Sequence, residues 1–217
     1  FLASAVEEGL EVIFDLVGRE NAAGRELKVL VAGCMPARYG DDLAAELVEA
    51  AGFLAADDED NVVEEVTRLL DGDVSLVRAD RSLIRHAYPT SAYVKISDGC
   101  DRFCSYCMIP YIRGRYRSYP LSRIDDEVAE LVCNGVREIV LIGQDTGIWG
   151  HDLEEPSTTA TLVRTLAHRY PDTWFRLLYV QPEGIDDELL DVIATYPNVC
   201  PYLDMPLQHV NAEVLAL

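Results

Sequence analysis

Basic side chains are scarce in this sequence. Its 217 residues include 18 lysines and arginines against 38 aspartates and glutamates, a formal net charge of −20. Such a surface repels a phosphate backbone at long range, which argues against free nucleic acid and for a basic protein as partner. Also missing is any apolar run near the roughly 20 residues that span a bilayer, and no basic segment followed by an apolar one opens the chain. The expectation is a soluble, cytoplasmic protein with no membrane partner. In that reducing compartment its six cysteines read as metal or redox chemistry more than as disulfides. A hydrophobic content of 49% at this length suffices for one large or two small cores.

The first part of the chain reads as α/β. Leu2, Val6, Leu10, Ile13, Phe14 and Val17 stand at helical spacing, with Gly18 as the expected stop. A β-branched run from Leu27 reads as a buried strand ending at Gly33 and Cys34. Two more amphipathic helices, DDLAAELVEAAG and NVVEEVTRLLDG, flank a short strand, GFLAA, and the acidic turn DDED. Periodicity fades between Asp71 and Thr90, where Pro89 marks a linker. We therefore expect one domain over residues 1–85 and a second over 86–217. In the second, strands AYVKIS, REIVLIG, WFRLLYV and CPYLDMPL alternate with helices near 122–134, 158–170 and 185–196. That alternation begins a parallel barrel or a doubly wound sheet. Cys133, on an apolar helix side, and Cys200, opening a strand, read as core residues.

Reactive groups in such folds collect at the carboxyl ends of strands. The segments at those ends are DGCDRFCSYCMIPYIRG, Gly143-Gln144-Asp145-Thr146, Tyr179-Val180-Gln181-Pro182 and Pro206-Leu207-Gln208-His209. The first carries Cys100, Cys104 and Cys107. A structural zinc site is closed by four ligands, and the next candidates, Cys133 and the histidines, lie far along the chain. An iron–sulfur cluster held by three cysteines leaves one iron open. A zinc site completed from a distance, a non-catalytic iron–sulfur module and an open catalytic cluster all fit the trio. Arg102, Arg113, Arg115, Arg117 and Arg123 fall in a stretch without an acid and read mostly as a solvated basic loop, with Arg113 the best placed to grip a carboxylate. His209 reads equally as a satisfied polar strand end or as a substrate-side donor.

The C-x-x-x-C-x-aromatic-C spacing, with Tyr106 before Cys107, resembles the signature of the radical S-adenosylmethionine (SAM) enzymes. The resemblance implies an incomplete (β/α) barrel in which Cys100, Cys104 and Cys107 hold a four-iron four-sulfur cluster. It implies that SAM binds at the open iron, with Gly143, Gln144 and Asp145 beside its methionyl amine and Tyr106 at its adenine. The wider pattern, VREIVLIGQDTGIWG, YVQPEGIDDELL and PYLDMPLQH included, is similar to the methylthiotransferases, which insert a methylthio group at a carbon–hydrogen bond. In that family an amino-terminal domain holds a second four-iron four-sulfur cluster, and Cys34 in VAGCMPARYG matches its last ligand. The resemblance further implies that two ligands precede Phe1, and that the last barrel units and a small β domain lie beyond residue 217. The chain thus reads as an internal fragment, inactive alone for full turnover. Gln144-Asp145-Thr146 and Pro206-Leu207-Gln208-His209 resemble the branch that modifies an aspartate β-carbon of ribosomal protein S12, on or off the ribosome, with flavodoxin or ferredoxin as electron donor. The alternative branch modifies a transfer-RNA adenosine.

Overall fold

The computed structural model describes residues 3–23, 28–56, 58, 61–70 and 90–215, with the backbone alone for 18–23. Leu2, most of the acidic turn at 57–60, and the expected linker with its 85/86 boundary lie outside the described residues. The chain forms two compact units. One comprises Phe1–Arg78 with Arg102–Gly114, and the other Ala79–Asp101 with Arg115–Leu217.

In the first unit the expected order of elements is observed: helix α1 (Ala3–Ala23), strand β1 (Leu30–Gly33), helix α2 (Cys34–Glu46), strand β2 (Gly52–Ala55) and helix α3 (Val62–Leu69). Gly18 does not stop α1. A glycine inside a helix costs only about 1 kcal/mol, and the residues after it carry the helix on to Ala23. β1 and β2 pair in parallel with Leu30 opposite Gly52. Ile13, Val31 and Leu47 form the core, with Val17, Met35, Leu43 and Phe53 packed around them. α2 is broken at Gly40, whose φ of 51° and ψ of −130° only glycine adopts readily. Lys28 Nζ donates to the Leu69 carbonyl at 2.5 Å, tying the start of the β1 segment to the end of α3. The short helix α4 (Ile109–Ile112), from the later part of the chain, packs on α2 within this unit.

The second unit is built on strands β3 (Ser91–Lys95), β6 (Glu138–Ile142) and β7 (Trp174–Leu177), parallel and in that order. Between β3 and β6 lie two two-residue strands, β4 (Ser97–Asp98) and β5 (Arg117–Ser118), paired antiparallel. Helix α5 (Leu121–Cys133) packs on β3, α6 (Thr159–Arg169) on β7, and α7 (Asp187–Thr195) on α6. Ile124, Val128 and Leu131 recur at helical spacing and are the buried face of α5. Thr158 and Asp186 cap α6 and α7 by accepting from the Thr161 and Leu189 amides. Val94, Ile139, Leu141, Phe175 and Leu177 alternate into one core with these helices. The other face of the sheet aligns Tyr93, Val140 and Arg176 in one row, and Arg176 Nε pairs with Glu138 Oε1 at 2.8 Å.

Two further expectations need correction. The run CPYLDMPL does not form a fourth strand: pairing with β7 shrinks to one parallel bridge, Phe175 to Val199. Pro201 and Pro206 cannot donate to a ladder, and Asp204 instead accepts from Tyr179 N through its side chain and from Val180 N through its carbonyl. The chain then continues without a strand to a last short helix, α8 (Ala212–Leu215). Cys133 is exposed at the end of α5 rather than in the core, whereas Cys200 is buried as expected.

The ends of β6 and β7 lead into two 3-10 turns, Thr146–Ile148 and Pro182–Gly184, whose backbones touch. A Cβ on Gly184 would stand 2.6 Å from Gly147 Cα. The Cα is main chain and a Cβ is fixed by its own backbone, so neither can rotate away. Gly184→Ala should therefore lower stability by about 1–3 kcal/mol in urea unfolding, since this site has no room for a methyl. An unchanged midpoint would show that the two turns are not held together.

Candidate functional site

The cysteine loop leaves and re-enters the second unit through a short neck. Ser97 pairs with Ser118 and Asp98 with Arg117, and the Tyr119 amide donates to the Ile96 carbonyl at 2.8 Å. Asp98 is buried; its carboxylate takes Lys95 Nζ at 2.6 Å and the Gly99 amide at 3.0 Å. Just beyond, Asp101 Oδ1 accepts from the Tyr116 amide at 3.2 Å and from Arg115 at 3.4 Å. Half-buried Cys100 thus sits between two aspartates that use their own loop's amides. Asp101 also answers one of the arginines of the acid-free stretch. Two others, Arg123 and Arg117, lie over the Tyr119 ring at 3.8 and 6.0 Å.

In the first unit, Cys104 and Cys107 share one tight turn, closed by the Cys107 amide on the Cys104 carbonyl at 2.9 Å. Phe103, before it, holds a positive φ of 46°, and its ring meets Tyr111 edge-on at 5.8 Å. Cys107 Sγ accepts the Ile109 amide at 3.5 Å. Tyr106, central in the turn, is 69% exposed; desolvation first, then the Cys104 and Cys107 sulfurs, push its phenol up. Arg113 ends α4, its amide on the Ile109 carbonyl, and is half-buried. Cys34 begins α2 directly after β1 and is half-buried too. None of the six cysteines forms a disulfide. The turn brings Cys104 and Cys107 together, but among the described residues no three cysteine, histidine or carboxylate side chains are gathered to hold a metal ion.

At the end of β6, Gly143, Gln144 and Asp145 form a turn in which Gly143 and Asp145 are buried and Gln144 is half-buried. A Cβ on Gly143 would overlap Ser97 Oγ and stand 3.4 Å from the Ser97 carbonyl oxygen, so the turn lies directly on the first residue of β4. Gln144 Oε1 is buried and accepts no hydrogen bond among the described residues. Asp145 is fully buried. Thr146 anchors the turn to the end of β7, its amide on the Tyr179 carbonyl at 3.1 Å and its hydroxyl on the Leu178 carbonyl at 2.6 Å. Tyr179 and Gln208, in the two remaining segments singled out from the sequence, both hold positive φ, 61° and 59°, which side chains rarely adopt. His209 is exposed and its Nδ1 accepts from the Asn211 amide at 2.9 Å, so the ring serves the turn into α8.

The residues that the sequence did not point to lie behind this turn. The Ser118 amide donates to Asp152 Oδ2 at 2.9 Å, the Gly150 amide to Ser118 Oγ at 2.9 Å, and Trp149 Nε1 to the Tyr119 carbonyl at 2.9 Å. Burial would raise the Asp152 carboxyl, but the Ser118 hydroxyl and the Ser118 and Asp152 amides outweigh it and hold it below the usual carboxylate range. The buried Tyr116 phenol is pushed up by burial, opposed by the Ser97 and Ser118 hydroxyls and reinforced by the Asp152 and Asp145 carboxylates.

The family model of the Radical SAM superfamily matches residues 94–217. Over its full length the chain is 41% identical to a protein of Syntrophus aciditrophicus (strain SB) named ribosomal protein uS12 methylthiotransferase RimO, covering 50% of that protein. Proteins of the same name from Geobacter sulfurreducens and Moorella thermoacetica are 40% and 38% identical over 99% of the chain, again 50% of each. The chain therefore spans about half the length of the curated relatives it matches. Among solved structures, TsrM, a radical S-adenosylmethionine methyltransferase from Kitasatospora setae, aligns with a TM-score of 0.48 at 21% identity, over 62% of this chain and 25% of that one.

The contact between Gly143 and Ser97 makes a separable prediction. Gly143→Ala should cost about 1–3 kcal/mol in urea unfolding, and adding Ser97→Gly, which removes the overlapping hydroxyl, should recover most of it. A double variant no more stable than Gly143→Ala alone would mean that the turn does not rest on β4.

Proposed function

The chain belongs to the radical SAM superfamily, and from that premise we propose that it carries the core of a methylthiotransferase acting on an aspartate β-carbon of ribosomal protein S12. The observation that carries the reading is the turn pairing Cys104 with Cys107, thiols outside any disulfide, with an amide on Cys107 Sγ and Cys100 shortly before it. That donor set suits an iron–sulfur cluster: soft, partly exposed thiols, with a backbone N–H to sulfur of the kind that tunes such centres. The names of the relatives, shared at about 40% identity across the whole chain, support the choice of substrate. The net charge of −20 supports a basic ribosomal protein over transfer RNA, whose backbone it would repel.

In this reading Cys100, Cys104 and Cys107 hold a four-iron four-sulfur cluster, which supplies, when bound, the electron that cleaves S-adenosylmethionine. Gln144 Oε1, buried and without a donor among the described residues, accepts from the methionyl ammonium, with the Asp145 carboxylate adding charge complementarity. Gly143 lets that turn lie against β4, where a side chain would push it away. Tyr106 borders the adenine and Arg113 grips a carboxylate. Cys34, at the start of α2, contributes to a second four-iron four-sulfur cluster that serves sulfur transfer. Residues 1–85 form part of the domain that holds it and 86–217 part of the radical SAM core. Flavodoxin or ferredoxin is the electron donor, and the reaction takes place in the cytoplasm.

The cysteine roles separate in one set of variants of the full protein. Replacing Cys100, Cys104 or Cys107 with alanine should abolish formation of 5′-deoxyadenosine, while Cys34→Ala should leave it within about twofold of wild type and stop methylthio transfer. The substrate is settled by mass spectrometry of ribosomal protein S12 and transfer RNA from cells with and without the gene. Loss of the methylthio mass from transfer RNA, with the ribosomal protein unchanged, would assign the other substrate.

A further inference from the structure

Strand β5 is only two residues long, yet both of its sides are engaged. One side pairs with β4, the way into the cysteine loop. The other is met by the segment that continues from the Gly143–Thr146 turn: Trp149 on the Tyr119 carbonyl, Gly150 on Ser118 Oγ, and Asp152 on the Ser118 amide. A two-residue antiparallel pair is weak alone, since isolated hairpin pairing is marginal in water. Its geometry here depends on that second side. Of the three contacts only the one to Asp152 uses an ionised acceptor, the stronger kind of hydrogen bond. The same short path also carries the Gly143–Ser97 contact, so β4, β5 and the turn are fixed to one another at two points.

We propose that Asp152 is a positioning residue which, through Ser118, locks the neck of the cysteine loop to the turn bearing Gly143, Gln144 and Asp145. The inference rests on the functional reading above and deepens it. Cys100, two residues beyond β4, and Gln144 Oε1, at the end of β6, belong to the same unit, and the lock keeps the approach to one fixed relative to the other. In this proposal Asp152 acts through the Ser118 amide rather than on cluster or cofactor directly. It acts on S-adenosylmethionine affinity by holding the two halves of its site in register.

The test uses the full protein carrying Asp152→Ala, Asp152→Asn or Ser118→Ala. Amide exchange is read first, in protein without cluster. Asp152→Ala should speed exchange at residues 97–101 and 115–119 by about tenfold, with α5 and α6 unchanged, because one charge-assisted hydrogen bond is lost. In reconstituted protein the same variant should bind S-adenosylmethionine about tenfold more weakly with unchanged iron content. Asp152→Asn, which keeps a carbonyl acceptor, should recover most of both effects. Should Asp152→Ala fail to fold, Ser118→Ala, which keeps the amide that Asp152 accepts but removes the hydroxyl that holds Asp152 and the Gly150 amide, weakens the same lock and should speed exchange at the neck by a smaller factor. Unchanged exchange at the neck overturns the proposal, and so does unchanged affinity once exchange has risen. If wild-type protein takes up no S-adenosylmethionine, the functional reading falls, and the exchange result alone still decides whether Asp152 fixes the neck.

Discussion

A few backbone hydrogen bonds at the mouth of the cysteine loop hold the rest in place. Ser97 and Asp98 pair with Arg117 and Ser118, and the cysteine loop leaves the second unit and returns to it through that pair, while residues 102–114 pack within the first unit. Two residues of ladder do not hold a long loop by themselves. The pair persists because buried Asp98 is neutralised by Lys95, Asp101 takes the Tyr116 amide, and Asp152 takes the Ser118 amide. Each carboxylate accepts from main chain, the arrangement that fixes a loop at least cost in side-chain entropy.

The parallel sheet adds direction to that anchor. β3, β6 and β7 point the same way, so the Gly143–Thr146 turn and Tyr179 emerge at the same end of the sheet as the segment leading to Cys100. Their mutual positions are set by main-chain contacts: Thr146 on Tyr179 and Leu178, and Gly147 against Gly184. Such contacts tolerate almost no side-chain change, which gives the buried acceptor on Gln144 a rigid frame. Rigidity there is what an electrostatic binding site needs, since acceptors already in place cost no reorganisation when a cation arrives.

The longer elements were legible because their periodicity is strong. Ile124, Val128 and Leu131 announce α5, and the run EIVLI can hardly be anything but a buried strand. The cysteine trio stood out by its spacing, but the tight turn that pairs Cys104 with Cys107 was not read from it. Nor was the neck legible: two-residue strands have no period, and Asp152 in HDLEE reads like any solvated acid until the Ser118 amide is seen to meet it. The contacts of Gly147 with Gly184 and of Gly143 with Ser97 join residues far apart in sequence, which no local pattern encodes. CPYLDMPL misled in the opposite direction, since its alternation suggests a strand while its two prolines withhold the donors a strand requires. Cys133 misled for a simpler reason: a helix's last residue can leave the apolar face that its spacing suggests.

That Cys100, Cys104 and Cys107 together leave one iron open to S-adenosylmethionine is the claim on which the functional reading stands. Electron paramagnetic resonance of the anaerobically reconstituted, reduced protein, recorded before and after S-adenosylmethionine is added, addresses it most directly. The account predicts a four-iron four-sulfur signal that changes on addition, and that the change disappears in Gln144→Ala while the signal itself remains. A cluster signal indifferent to S-adenosylmethionine in the wild-type protein, or bound zinc in place of iron, would contradict it.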